Sequence, residues 1–147
     1  MNLLSKSVLL SGALVASVLL SGCGKTDRVA LQKEKQQKVI QQYTDAADRG
    51  ELFAISQIGA MYWHGQGVSK DYKKAVDYFK KGAEKGDALS LYNLGVAYNL
   101  GKGIAPNKLK AYETWVKAVN AGSENAAYNL DILCKDSAWA CKTYSQK

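Results

Sequence analysis

Hydrophobic positions follow two different rhythms along the chain. From Ser7 to Gly22 no charge interrupts a run holding Val8, Leu9, Leu10, Leu14, Val15, Val18, Leu19 and Leu20. Further on, apolar positions such as Ala75, Val76, Phe79 and Ala83 recur three or four residues apart, which places them on one face of a helix. Start and stop signals around these stretches predict helices over roughly 36–49, 52–64, 71–85, 88–100, 107–121 and 124–134.

The first rhythm belongs to a leader. Lys6 precedes the apolar run, so residues 1–22 have the profile of a signal peptide. As a helix the run would reach about 24 Å, short of the roughly 30 Å of a hydrocarbon core, which favours a cleaved leader over a permanent span. It has almost no polar face, which argues against a buried core helix.

Leu20-Ser21-Gly22-Cys23 resembles the lipobox of bacterial lipoproteins. That resemblance implies cleavage before Cys23, diacylglycerol on its thiol and a further acyl chain on the new amino terminus. Several chains anchor firmly where one binds only marginally. Gly24, rather than Asp, after the cysteine implies an outer-membrane address facing the periplasm. The covalent lipid on Cys23 is the only non-protein group expected.

Residues 23–35 are rich in Lys and Gln and poor in apolar side chains, and read as a lipidated tether. Export leaves Cys134 and Cys141 as a pair in a compartment where disulfides persist. In one continuous helix their α-carbons would lie about 10.5 Å apart, too far for a bond. A disulfide therefore requires a turn near Lys135-Asp136-Ser137 and closes the tail 135–147; two independent buried thiols are the other reading.

Shifting the sequence by 36 positions aligns Gly59 with Gly95, Tyr62 with Tyr98, Gly65 with Gly101, Gly67 with Gly103, Lys74 with Lys110 and Gly86 with Gly122. Phe79 meets Trp115, and Tyr128-Asn129-Leu130 repeats Tyr92-Asn93-Leu94. A single period that holds glycines and aromatics together signals a solenoid. Asp71 and Asn107 suit N-caps, and Gly86 and Gly122 suit left-handed helix ends.

Gly59 and Gly95 fall inside helices, where glycine costs about 1 kcal/mol against alanine, so close helix approach is expected there. Gly65-Gln66-Gly67 and Gly101-Lys102-Gly103 lack the third glycine and preceding strand of a dinucleotide site. They read as tight interhelical turns. With no further helix foreseen beyond it, the last helix reads as a polar cap.

The run Ile58-Gly59-Ala60-Met61-Tyr62-Trp63-His64-Gly65-Gln66-Gly67 through Asp71 and Ala75 to Tyr78-Phe79-Lys80-Lys81-Gly82-Ala83 resembles the Sel-one-like repeat, a relative of the tetratricopeptide repeats. The resemblance covers about residues 36–134 and implies an all-α solenoid of antiparallel helix pairs wound into a right-handed superhelix, about six helices in all. The second copy is looser, with Pro106 in its loop and Thr114 where Tyr78 stands. Members of this family mainly bind proteins and seldom catalyse.

The residue inventory points the same way. His64 is the single histidine, and no spacing suggests a catalytic or metal site. Gln57, Asn93 and Asn129 recur along the first helices of the pairs, the face that lines the concave side of such superhelices. An amide ladder there can bond to the backbone of an extended peptide or serve the fold. Trp63 aligns with Asn99, so the repeat does not demand an aromatic; it is either a binding anchor or edge packing. His64 is either a surface residue near a helix end or part of a ligand groove.

Loss of Lys6 with the leader lowers the formal charge from +7 to +6. Lys70, Lys73, Lys74, Lys80, Lys81 and Lys85 crowd one helix as a solvated face or as a surface for an acidic protein or anionic lipid. The expected partners are a protein or peptide, and the membrane through lipid; neither nucleic acid nor a small-molecule substrate is expected. The reading is an envelope adaptor, with an immunity protein that neutralises an antibacterial toxin as the alternative.

Overall fold

Side-chain caps mark where four of the helices begin. In the computed structural model, which describes residues 26–145, Asp71 accepts from Lys74 N at 2.9 Å and Asn107 from Lys110 N at 2.9 Å. Asp87 and Ser123 do the same for Ser90 N and Ala126 N. Each satisfies a backbone donor that the first turn leaves free.

The helices are α1 (Thr26–Asp48), α2 (Leu52–His64), α3 (Tyr72–Glu84), α4 (Ala88–Leu100), α5 (Lys108–Asn120), α6 (Glu124–Asp136) and α7 (Ala138–Ser145), and the described residues contain no strand. The fold is therefore all-helical and repetitive, as the period predicts. The predicted spans 71–85 and 107–121 each run one residue too far at either end, because they include the caps Asp71, Lys85, Asn107 and Ala121.

The signal peptide expected over residues 1–22, Cys23 and the start of the expected tether lie outside the described residues, as do Gln146 and Lys147. Residues 1–35 form one unit and residues 36–147 another. Of the first unit the structure describes the opening turns of α1, whose residues 27–35 are all exposed. The stretch read as a tether is thus helical from Thr26 onward. Ala, Leu, Gln, Lys, Glu and Arg are all strong helix formers, and propensity can carry a solvated helix where no apolar face exists to reveal it.

In the second unit the core passes from helix to helix. Ile40, Ala46 and Ala47 of α1 pack with Ala54, Ile55 and Ile58 of α2. Ala75, Val76 and Phe79 of α3 meet Leu94 and Ala97 of α4, and Leu91, Ala111, Trp115, Ala118, Ala126 and Leu133 join α4, α5 and α6. No helix buries its apolar face alone, which is why the array is stable only as a stack.

The expected close approaches occur. A Cβ on Gly59 would lie 2.7 Å from the Phe79 ring, and one on Gly95 would overlap the Trp115 indole. The indole is fixed by its Nε1, which donates to Tyr92 O at 3.0 Å. Gly65 and Gly101 end α2 and α4 at φ of 75° and 67°, a left-handed conformation that glycine adopts without a Cβ clash.

The C-terminal segment corrects one expectation. Cys134 and Cys141 are bonded with α-carbons 5.6 Å apart, because the chain breaks at Ser137 between α6 and α7. But the segment is not merely a closed tail, and α6 is not the terminal cap. Helix α7 packs against α5 and α6 and buries Ala140 completely, so α6 has a further helix packed on it beyond the predicted end of the array. Eight residues are too few for hydrophobic periodicity to announce.

Candidate partner-binding site

The first helices of the three pairs, α2, α4 and α6, carry the amide series at a 36-residue interval. Gln57, Asn93 and Asn129 are each partly buried on their helices. Between α4, α5 and α6 lies a cleft of about 270 Å³, lined by Tyr92, Val96, Asn99, Leu100, Lys108, Trp115, Asn129, Ile132, Leu133 and Asp136. It gathers Asn129 of the amide series together with Asn99, the repeat counterpart of Trp63. Gln57, Asn93, Trp63 and His64 are not part of its lining.

The cleft mixes two chemistries. Lys108 donates to Asn99 Oδ1, which orients that amide at the rim. Leu100 and Ile132 are 53% and 39% exposed, so apolar surface stays open to a partner. Carbonyl and amide groups can bond an extended main chain, while open aliphatic side chains take up its apolar residues.

Val96, Leu100, Lys108 and Ile132 were not singled out from the sequence. Val96 and Ile132 carried a signal in the register: Ala60, Val96 and Ile132 align three residues beyond the amide series, and their side chains grow along the array. An apolar residue at a face already carrying amides is ambiguous without knowing which side of the helix is covered.

Trp63 is a packing residue in this structure. Its ring meets Tyr72 edge-on at 4.9 Å between centroids and Phe79 at 6.0 Å, joining the α3–α4 core cluster. His64 is exposed in the last turn of α2.

The lysine cluster is partly tied down within the fold. Lys74 lies over Tyr62 at 4.9 Å, and its repeat equivalent Lys110 lies over Tyr98 at 5.6 Å. Lys81 covers Tyr78, and Lys70 and Lys102 both approach Tyr72. Lys85 donates to Gly50 O at 3.1 Å. Burial pushes the Tyr78 phenol above its ordinary value of 10.0, with Tyr62 and Asp48 adding to the rise and Lys74 opposing it.

Among the described residues no group of three His, Cys, Asp or Glu is placed to hold a metal ion, and no helix is long and apolar enough to cross a membrane. Stacked helix pairs with an open amide and aliphatic cleft define a helical-repeat scaffold of the kind that binds other proteins. The chain belongs to the Sel1 repeat family: the Sel1 repeat model matches residues 52–87 and 88–123.

Solved structures agree. A Sel1 repeat protein from Oxalobacter formigenes is 46% identical with a TM-score of 0.58, over 61% of this chain and 37% of that one. Cysteine rich protein B of Helicobacter pylori is 32% identical with a TM-score of 0.61, over 64% of this chain and 71% of that one. A protective antigen of uropathogenic Escherichia coli with an SLR fold is 25% identical with a TM-score of 0.54, over 69% of this chain and 26% of that one. No curated protein matches the chain. Sel1 repeat proteins are generally non-catalytic scaffolds.

Proposed function

We propose that this protein is an envelope adaptor: lipid on Cys23 holds it at a membrane, and the cleft between α4 and α6 binds a peptide segment of a protein partner. The observation that carries the reading is the union of Asn99 and Asn129 with exposed Leu100 and Ile132 in one cleft. Amides satisfy the partner's backbone, the aliphatic groups gain from burial, and neither requires a particular sequence. The lipobox-like Leu20-Ser21-Gly22-Cys23 supports the anchor, and Gly24 an outer-membrane location facing the periplasm.

Two measurements test it. Labelling cells with a palmitate analogue should mark the protein, and Cys23→Ser should abolish the label; an unlabelled parent protein rejects the anchor. A photo-crosslinking residue at position 132 should trap a defined envelope protein, and Asn129→Ala should reduce the yield. If a crosslinker at the exposed Asp77 of α3 traps the same protein and position 132 traps none, the cleft is not the site. Trp63→Ala is unsuitable here, because it would disturb packing.

A further inference from the structure

The two full repeats differ at one slot. In the first, the Tyr78 ring lies parallel to Tyr62, with planes 8° apart and centroids 5.9 Å apart. It packs over the α1–α2 core cluster, with Lys81 above its outer face at 5.1 Å. In the second repeat each surrounding group has its counterpart 36 residues on: Ala83 for Ala47, Leu91 for Ile55, Leu94 for Ile58, Tyr98 for Tyr62 and Lys117 for Lys81. The ring itself is missing, because Thr114 stands where Tyr78 would.

Thr114 does not fill the space. Its hydroxyl turns back to donate to Lys110 O at 2.6 Å, and a cleft of about 310 Å³ opens over it, lined by Lys80, Ala83, Glu84, Leu91, Leu94, Tyr98, Thr114 and Lys117. That volume lies at the lower end of the roughly 300–1,000 Å³ typical of ligand clefts. It sits on a different face of α4 from the Asn129 cleft, since the two share no lining residue.

We propose that this vacated slot is a second binding site, which takes an aromatic side chain from an acidic segment of a protein partner. The incoming ring stacks on Tyr98 as Tyr78 stacks on Tyr62, over a floor of Ala83, Leu91 and Leu94. Lys80 and Lys117 at the rim outnumber Glu84, so flanking carboxylates on the partner complete the charge. The same chain already shows, one repeat earlier, which group fits such a slot and which cation covers it. The site is independent of the α4–α6 cleft and stands or falls separately from the adaptor reading.

The probe is a capped Asp-Tyr-Asp peptide titrated into the full-length chain, read by the NMR signals of the Thr114 methyl and the Tyr98 ring. Saturable shifts are expected, with affinity at least about fivefold weaker for Asp-Ala-Asp, which loses the aromatic pair's contribution together with the buried area of the ring. Thr114→Tyr fills the slot from within and should abolish binding while keeping the amide spectrum of a folded protein. Lys117→Glu, a surface change, should weaken it even if Thr114→Tyr does not fold. Ile132→Asp, in the other cleft, should leave it unchanged.

Absence of saturable shifts at millimolar peptide would overturn the proposal. So would binding that survives Thr114→Tyr in a folded protein or is undiminished by Lys117→Glu, equal affinity for Lys-Tyr-Lys, or loss of binding in a folded Ile132→Asp. Inorganic phosphate moving the same signals as strongly as the peptide would make the slot an anion site instead.

Discussion

Gly95 lies flat against the indole of Trp115, with no room between them for a methyl group. The indole cannot retreat without breaking its hydrogen bond to Tyr92 O, so the contact holds α4 and α5 at a fixed separation.

Gly95→Ala should therefore destabilise the protein. Overpacking costs about 1–3 kcal/mol, against which the better helix propensity of alanine returns up to about 1 kcal/mol. A lower melting temperature with altered tryptophan fluorescence is the expected result. A rise in melting temperature would mean that the indole swings aside freely.

The Cys134–Cys141 bond ties α7 to the end of α6. For so short a loop, chain entropy gives about 2.5 kcal/mol. Reductant should lower the melting temperature, and hydrogen exchange should quicken first in α7 while amides of α2 to α4 stay protected. Uniform acceleration across all helices would show instead that the bond supports the whole stack.

Tyr78 predicts an alkaline effect. Its folded-state value is raised, chiefly by burial, so the fold prefers the neutral phenol. That contribution is complete below the unfolded value of 10.0 and is lost as pH rises through the folded value. Melting temperatures should fall above about pH 10, and less steeply in Tyr78→Phe. Parallel curves for the two proteins would sink this assignment.

Asn107 caps α5 through its bond to Lys110 N. Asn107→Ala should cost about 1 kcal/mol and Asn107→Asp almost nothing. Chemical denaturation of the three proteins measures both.

The repeat itself was readable because its signals are local and recur. Glycines at helix ends, polar caps and an apolar spacing of three to four each depend on a few neighbouring residues, and the 36-residue period repeats them in register. The same logic located Gly59 and Gly95 as contacts. Where it failed, the structure depends on something nonlocal or weakly patterned. The opening of α1 has propensity without an apolar face, and α7 is short and held by a disulfide and by packing on α5.

The candidate sites were legible only in part, for a related reason. The amide series Gln57, Asn93 and Asn129 is visible as a period, but whether a given residue meets solvent, core or cleft depends on how neighbouring helices cover it. Trp63 looks like a hot spot in one dimension and packs against Tyr72 and Phe79 in three. Thr114 is a small lapse from the repeat on paper, yet in space it exchanges a half-buried ring for an open slot. Sequence alone determined the repeating all-helical architecture, because short-range rules specify each helix and turn. Tertiary packing decided which faces remain open, because burial belongs to the arrangement of helices.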